Sequence, residues 1–293
     1  MTKIIQPDTD ANLASHLYLE EVLGEQALTK VREWNALSAK RLETDPRFSE
    51  MEAQALEIVN SKEKIPHVSY RNGKVRNFWQ DETHVRGIWR TASLESYLTD
   101  TPDWETIIDF DELAAVEGKN WVFAGSNVLS TDDNKCLVSL SDGGKDASLM
   151  REFDIASKTF VEDGFITEES KGSGTWLDAD NLLIGIDFGE GSLTDSGYPM
   201  IAKLWQRGTD LSEATELMRG EKTDVAMHAY CLNLSNGRRE IIVRRAVTFY
   251  TAEDYWLPRE TLKPVKLPIP DKSNTRGEFK GQMLLIINED WRG

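Results

Sequence analysis

The residues that could supply metal-binding or acid–base chemistry are few. The chain has four histidines and two cysteines: His16, His67, His84, His228, Cys136 and Cys231. No two histidines have the spacing of a zinc site, and neither cysteine lies near a histidine in sequence. We therefore expect each histidine to be a surface or packing residue.

One serine deserves comparison with the strand-to-helix elbow that exposes a nucleophilic serine, Gly-x-Ser-x-Gly. The segment Gly125-Ser126-Asn127 lacks the flanking glycines, and it runs into Val128 and Leu129 rather than into a helix. We predict that Ser126 is an ordinary strand residue.

Acidic and glycine clusters also fall short of the known motifs. Asp178 and Asp180 lack the glycine and the distant glutamate of a calcium loop, so Asx turns before a strand at Leu182–Ile186 explain them better. A glycine cluster has no following helix and no Gly-Lys-Ser/Thr, and we interpret its members as structural turns: Gly185, Gly189, Gly191 and Gly197. Among 50 acidic residues, no pair stands out for glycosidic chemistry. The sequence thus predicts no catalytic residue, no metal ligand and no cofactor-binding residue.

Composition limits the partners and the compartment. A net charge of -16 argues against nucleic acid, which needs clustered lysine and arginine. Cys136 and Cys231 lie in apolar, strand-like runs, and we expect buried free thiols in a reducing compartment. Residues 1–12 show no apolar signal region, and no stretch approaches the ~18 apolar residues of a membrane span. We predict a cytoplasmic protein with no membrane partner.

The first 66 residues have a helical pattern. One short apolar face precedes Gly24, and two longer ones follow it. Asp45-Pro46 predicts the start of the last helix, and Pro66 ends the segment. The apolar positions of the three faces are Leu19, Val22 and Leu23; Leu28, Val31, Trp34 and Leu37; and Phe48, Met51, Ala55, Leu56 and Val59.

Residues 67–293 repeat a pattern of short strands and tight turns at about the 40–50-residue period of propeller blades. The units are Ser69–Asp111, Trp121–Phe165, Gly174–Gly220 and Met227–Pro270, and a further one begins at Gly277–Trp291. This pattern predicts a mainly β fold: an incomplete β-propeller of about four blades plus the start of a fifth, preceded in the sequence by an α-helical segment. We expect two domains, 1–66 and 67–293, with the blades in an open arc.

Particular turns and strands support the β prediction. Asn72-Gly73 and Asn236-Gly237 are hairpin signals, while Asp142-Gly143-Gly144 and Asp163-Gly164 offer glycines for positive φ. Strands are predicted at Trp104–Phe110, Leu182–Ile186 and Ile241–Val243, and an outer strand within Leu262–Pro270.

Several strings carry a family resemblance. Together they are similar to the N-terminal region and first blades of prolyl oligopeptidase family serine peptidases, from about Leu17 to the end. One departure is Tyr18-Leu19, where the family usually has Trp-Leu. The strings are Leu19-Glu20-Glu21-Val22, Ala27–Asn35, Asn77-Phe78-Trp79-Gln80-Asp81, His84–Arg90, Ser93–Tyr97, Leu113–Trp121, Cys136–Gly144, Arg151–Asp154, Ser196-Gly197-Tyr198-Pro199 and Glu289-Asp290-Trp291.

The resemblance implies a seven-bladed propeller that lies over an α/β-hydrolase domain and limits the substrates of that domain to short peptides. In the family, the catalytic serine, aspartate and histidine follow the propeller, so none is carried over to this sequence. We expect this chain to be an N-terminal propeller portion that is inactive as a peptidase alone, with a separate hydrolase-domain chain as one possible partner.

Two alternatives stay open from the sequence. The chain could be a peptide- or protein-binding module whose ring is completed by self-association or by a partner chain. It could also carry unrelated chemistry in the propeller channel, which is the weaker hypothesis.

Overall fold

Helices dominate the N-terminal part of the chain, and strands dominate the rest. The computed structural model describes residues 15–21, 23–61, 63, 65 and 67–291, and it divides into two compact units, Met1–Lys64 and Ile65–Gly293. The assignment of 1–66 and 67–293 as two domains stays a prediction. Val22 and Pro66, which the sequence places in the helical region, lie outside the described residues.

The N-terminal unit contains a 3₁₀ turn at Leu17–Glu20 and two helices, α1 (Glu25–Leu42) and α2 (Phe48–Asn60). The predicted start of α2 at Asp45-Pro46 is wrong by two residues. The Asp45 carboxylate accepts the backbone N–H of Arg47 at 3.0 Å and pairs with the Arg47 guanidinium at 2.9 Å. This local turn uses the aspartate before the helix begins.

Most of the predicted apolar positions of the two helices are exposed. Ala27 is buried, whereas Leu37 is 67% exposed and Met51 is 63% exposed. Other exposed apolar residues on the helices are Val31, Trp34, Leu42, Leu56, Ile58 and Val59. An apolar surface of this kind is typical of a binding face.

The second unit contains four four-stranded antiparallel sheets and one two-stranded sheet, each built from consecutive strands. Blade 1 is β1 (Val68–Arg71), β2 (Lys74–Trp79), β3 (Ile88–Ser93) and β4 (Glu105–Asp109); blade 2 is β5 (Trp121–Val128), β6 (Lys135–Asp142), β7 (Leu149–Asp154) and β8 (Thr159–Phe160); blade 3 is β9 (Ser173–Asp178), β10 (Asn181–Gly185), β11 (Ile201–Gln206) and β12 (Thr215–Arg219); blade 4 is β13 (Ala226–Asn233), β14 (Arg239–Ala246), β15 (Ala252–Leu257) and β16 (Val265–Lys266); the fifth sheet is β17 (Ser273–Phe279) and β18 (Gln282–Ile287). The mainly β propeller fold predicted from the repeats is confirmed, including the start of a fifth blade.

Two short helices in blade 1 were not predicted. They are α3 (Leu94–Tyr97), between β3 and β4, and α4 (Phe110–Glu117), after β4. The strand expected to reach Phe110 ends at Asp109, whose side chain accepts the N–H groups of Asp111 and Glu112 and so caps α4.

Turn chemistry sets the hairpins. Asn72 and Gly73 both have positive φ, 47° and 76°, as the tight β1–β2 hairpin requires. Gly164 is different. Its φ is not positive, so the expectation that this turn needs glycine for a positive φ is wrong. A Cβ on Gly164 would stand 2.8 Å from Cβ of Glu152, so close packing is what favours glycine.

Three apolar clusters lie between successive sheets. The first joins Trp89 of blade 1 to Val138 of blade 2, and the second joins Leu137 of blade 2 to Trp176 of blade 3. The third joins Leu183 of blade 3 to residues of blade 4, including Ile241. Each of the four-stranded sheets therefore packs face to face on the next one, as blades do. In the described part of the chain, no helix has the length and apolarity needed to cross a membrane.

Candidate functional site: the inner edges of the blades

The first strands of successive blades approach one another. The Asn127 side-chain amide on β5 donates to the Thr175 hydroxyl on β9 at 3.0 Å, and the Trp176 indole donates to the Asn127 carbonyl at 2.9 Å. Each first strand lies at the edge of its sheet, so one side of its backbone has no strand partner within that sheet. Such edges can accept an extended peptide through main-chain hydrogen bonds.

A cleft of about 290 Å³ opens beside these edges, between blades 1 and 2. Its walls include Phe78 and Phe123, whose rings stack with centroids 5.0 Å apart, and Ser126 lies among its lining residues. His67, Ser69 and Trp89 also line it. Aromatic walls beside hydroxyl groups suit an apolar side chain of a bound peptide.

Ser126 is a residue of β5, as predicted. The strand is irregular just before it, with a register shift between Phe123 and Gly125. Among the described residues, no hydrogen bond joins Ser126 to a histidine, so its hydroxyl has no base in contact.

The histidines occupy separate places. His16 precedes the 3₁₀ turn, His67 lines the cleft, His84 lies between β2 and β3, and His228 lies on β13. His84 Nδ1 is 3.0 Å from Asp81 Oδ1. Burial acts to raise the pKa of Asp81, but hydrogen bonds from His84, Trp79 and Thr83 outweigh it and lower that pKa. Burial, with the charge of Arg244, lowers the pKa of His228.

The acidic pair and three of the four cluster glycines lie in turns or loops. Asp178 Oδ1 accepts the N–H of Asp180 at 3.1 Å, an Asx turn as predicted, and Asp178 also pairs with Arg259 at 2.6 Å. Gly189, Gly191 and Gly197 have positive φ. Gly185 is instead a buried residue of β10, so its assignment to a turn is wrong; a Cβ there would lie 3.2 Å from the Met227 carbonyl oxygen, and close packing is what favours glycine. No cluster of three or more potential metal-ligating residues occurs in the described ranges. The prediction of no catalytic, metal or cofactor residue stays a prediction.

The two cysteines differ. Both are free, but Cys136 is completely buried whereas Cys231 is only half-buried, so the expectation of burial is wrong for Cys231. Burial raises the pKa of the Cys136 thiol to about 12, and burial also raises the pKa of Cys231 against the opposing effect of Arg239.

Sequence reasoning missed the arginines that pair with buried carboxylates. Arg207 of blade 3 binds the buried Glu152 of blade 2 with two hydrogen bonds of 2.9 Å. In blade 4, Arg244 binds Asp254 at 3.0 Å, and Arg245 binds Asp224 at 2.7 Å. The signal was present: Arg244 and Arg245 interrupt the apolar run of β14, where a buried charge needs a partner.

Consecutive four-stranded antiparallel sheets, packed face to face with their first strands converging, define a β-propeller domain. The family model described as prolyl oligopeptidase, N-terminal beta-propeller domain, matches residues 15–286, and the chain belongs to this family.

Two curated relatives are similar over almost the whole chain. The uncharacterized peptidase y4nA of Sinorhizobium fredii is 39% identical over 97% of this chain and 40% of its own length. The uncharacterized peptidase RP174 of Rickettsia prowazekii is 28% identical over 94% of this chain and 40% of its own length. The chain thus spans about 40% of the relatives that it matches.

Solved structures share the fold. A post-proline cleaving enzyme from Rickettsia typhi superposes with a TM-score of 0.86 at 29% identity, over 95% of this chain and 42% of that one. Oligopeptidase B from Leishmania major superposes with a TM-score of 0.68 at 12% identity, over 91% of this chain and 36% of that one.

Proposed function

We propose that this chain is the substrate-selecting propeller portion of a prolyl oligopeptidase-like serine endopeptidase that acts on short peptides. The observation that carries the proposal is the family match across residues 15–286, in a chain that spans about 40% of its peptidase relatives. The open inner edges and the cleft between blades 1 and 2 support a surface that admits extended peptides.

In this proposal, bond cleavage belongs to an α/β-hydrolase domain outside the propeller. Nucleophile, base and oxyanion donors must converge within hydrogen-bond reach. Among the described residues, Ser15 Oγ and His16 Nδ1 are 2.9 Å apart, but these two residues are adjacent in sequence and exposed, and they lie before the propeller. The propeller contributes access and selectivity. Two free thiols support our further proposal that the protein works in the cytoplasm.

The test combines activity with active-site labelling. We expect the purified 293-residue chain to give no turnover above buffer with a fluorogenic Gly-Pro substrate, and no serine labelled by a fluorophosphonate. Activity should appear when the proposed hydrolase segment, taken from the part of y4nA that this chain does not cover, is supplied as a fusion or as a separate chain. Stoichiometric labelling of Ser126 in the chain alone would contradict the proposal.

A second candidate is a non-catalytic binding module whose ring is completed by self-association or by a partner chain. The exposed fifth sheet favours it: Leu284 and Ile286 on β18 are 48% and 46% exposed. Apolar strands at an open edge promote association. We expect the isolated chain to be oligomeric or aggregation-prone in sedimentation experiments, and a stable monomer at high concentration would count against this expectation.

A further inference from the structure

A small pocket of about 190 Å³ lies at the turns of blades 3 and 4, away from the cleft between blades 1 and 2. The β9–β10 turn supplies Asp178, the start of β14 supplies Arg239, and the segment after β15 supplies Arg259. Arg238, Glu240 and Thr131 complete its polar lining. Three guanidinium groups meet two carboxylates here, in a chain whose net charge is -16.

Two of the three arginines pair with the two carboxylates, and Arg239 does not. Arg259 Nη2 lies 2.6 Å from Asp178 Oδ2, and Arg238 Nη2 lies 2.8 Å from Glu240 Oε1. Arg239 has no carboxylate partner among the described residues. It is held instead by neutral acceptors, since Nη2 donates to the Trp176 carbonyl at 2.8 Å and Nε donates to Cys231 Sγ at 3.2 Å.

One donor of Arg239 is unused. Its Nη1 is buried and has no hydrogen-bond partner in the described part of the chain. A buried donor without an acceptor is unfavourable, so this part of the Arg239 side chain is under-satisfied. What the pocket itself offers to a ligand is the positive charge of Arg239, which no carboxylate among the described residues compensates.

The surrounding charges select the kind of anion. Asp178 and Glu240 line the same pocket and repel a dianion, whereas one carboxylate matches the single excess charge. A carboxylate also matches the planar fork of a guanidinium. We propose that this pocket binds a carboxylate of a peptide, either its C-terminal group or an acidic side chain. The inference rests on the proposed function, in which peptides reach the propeller.

Arg259 lines the pocket and is suited to exchange partners. Its side chain is 45% exposed and its ion pair with Asp178 is solvent-accessible, so the pair itself contributes little stability. The arginine can therefore turn from Asp178 to an incoming carboxylate at small cost, which makes the proposed site adjustable.

Cys231 provides a reporter next to the pocket, because its Sγ accepts a hydrogen bond from Arg239 Nε. Its thiol touches Arg239, and the charges of Arg259 and Asp178 also act on it. The chain has two cysteines, and Cys136 is completely buried, so iodoacetamide should modify Cys231 first. A carboxylate bound against Arg239 should slow that modification.

The experiment measures the alkylation rate of Cys231 in the full chain at constant ionic strength. The probes are a neutral tetrapeptide with a free C-terminal carboxylate, its C-terminal amide, the amide with one glutamate, and inorganic phosphate. Protection by the free acid alone assigns the C-terminus, and protection by the glutamate amide assigns an acidic side chain. Equal protection by the neutral amide, no protection by any peptide, or stronger protection by phosphate would overturn the proposal.

Matched variants test the residues. Arg259→Gln should weaken protection about 10-fold, the scale of one charge-assisted hydrogen bond. Arg219→Gln is the control, because its pair with Glu216 has similar exposure, 46% and 42% against 45% and 39% for Arg259 and Asp178. Equal weakening by Arg219→Gln would show a general charge effect and contradict the site.

This readout is independent of peptidase activity. If the hydrolase segment fails to restore turnover while the carboxylate still protects Cys231, the proposed function fails and the binding site stands. If turnover is restored but no carboxylate protects Cys231, the pocket proposal alone fails.

Discussion

The β13–β14 hairpin of blade 4 and the β17–β18 hairpin of the fifth sheet share one design and differ in burial. Both are antiparallel pairs whose second strand carries consecutive apolar residues. Ile241 and Val243 on β14 are completely buried, whereas Leu284 and Ile286 on β18 are about half exposed. A strand pattern therefore specifies a hairpin, but the neighbouring sheets determine how much of it is buried.

The largest contrast should come from truncating one isoleucine in each hairpin. We expect Ile241→Ala to lower the free energy of unfolding by about 4 kcal/mol, because it leaves a cavity in a closed core. Ile286→Ala should cost about 1 kcal/mol, since its side chain is already half in water. Urea unfolding of both variants measures the difference, and equal losses would show that the fifth sheet is covered in solution.

Removing the charge of a carboxylate should likewise destabilise the protein more at a buried site than at an exposed one. Glu152→Gln leaves Arg207 without its carboxylate in the interface of blades 2 and 3, and we expect a loss of about 3 kcal/mol. Glu278→Gln on β17 is the matched change at an exposed site, where the carboxylate accepts hydrogen bonds from Ser235 and Gly281. Its effect on the urea midpoint should be much smaller, and the reverse order would contradict the assigned interface.

Two glycines separate backbone strain from packing. Gly87 has a φ of +94°, and a Cβ there would collide with the Phe78 ring, so Gly87→Ala should cost about 2 kcal/mol or more. Gly73 has a φ of +76° with no heavy atom within 4 Å of such a Cβ, so Gly73→Ala should cost about 1 kcal/mol from strain alone. Thermal melts of the two variants test this order.

The smallest effect concerns pH. Burial and the charge of Arg244 lower the pKa of His228 from 6.5 in the folded chain, so the unfolded chain binds its proton at higher pH. This histidine should therefore make stability fall as the pH drops below about 6.5, with no contribution at higher pH. Stability of His228→Gln, measured from pH 7.5 to 5.5, should be less dependent on pH; an unchanged slope would mean that His228 is solvated.

The candidate site could be predicted only in part. The sequence correctly predicted that Ser126 lies on a strand, because the residues around it do not form the Gly-x-Ser-x-Gly elbow motif. The cleft that Ser126 lines with Phe78 could not be predicted, since the two residues come from different blades. The pocket of Arg239 and Arg259 likewise depends on turns that are distant in sequence.

The sequence by itself determined the elements that depend on nearby residues. Alternating apolar residues and the Asn72-Gly73 turn specify hairpins, because these signals act between residues close in sequence. The repeat period predicts the number of sheets, since each copy of the pattern encodes one sheet. Only the tertiary structure decided that Gly164 is needed for packing against Glu152. The same holds for Arg207, which donates hydrogen bonds to the Glu152 carboxylate. The physical reason is that burial and charge pairing depend on which blade faces which, and that information lies in contacts far apart along the chain.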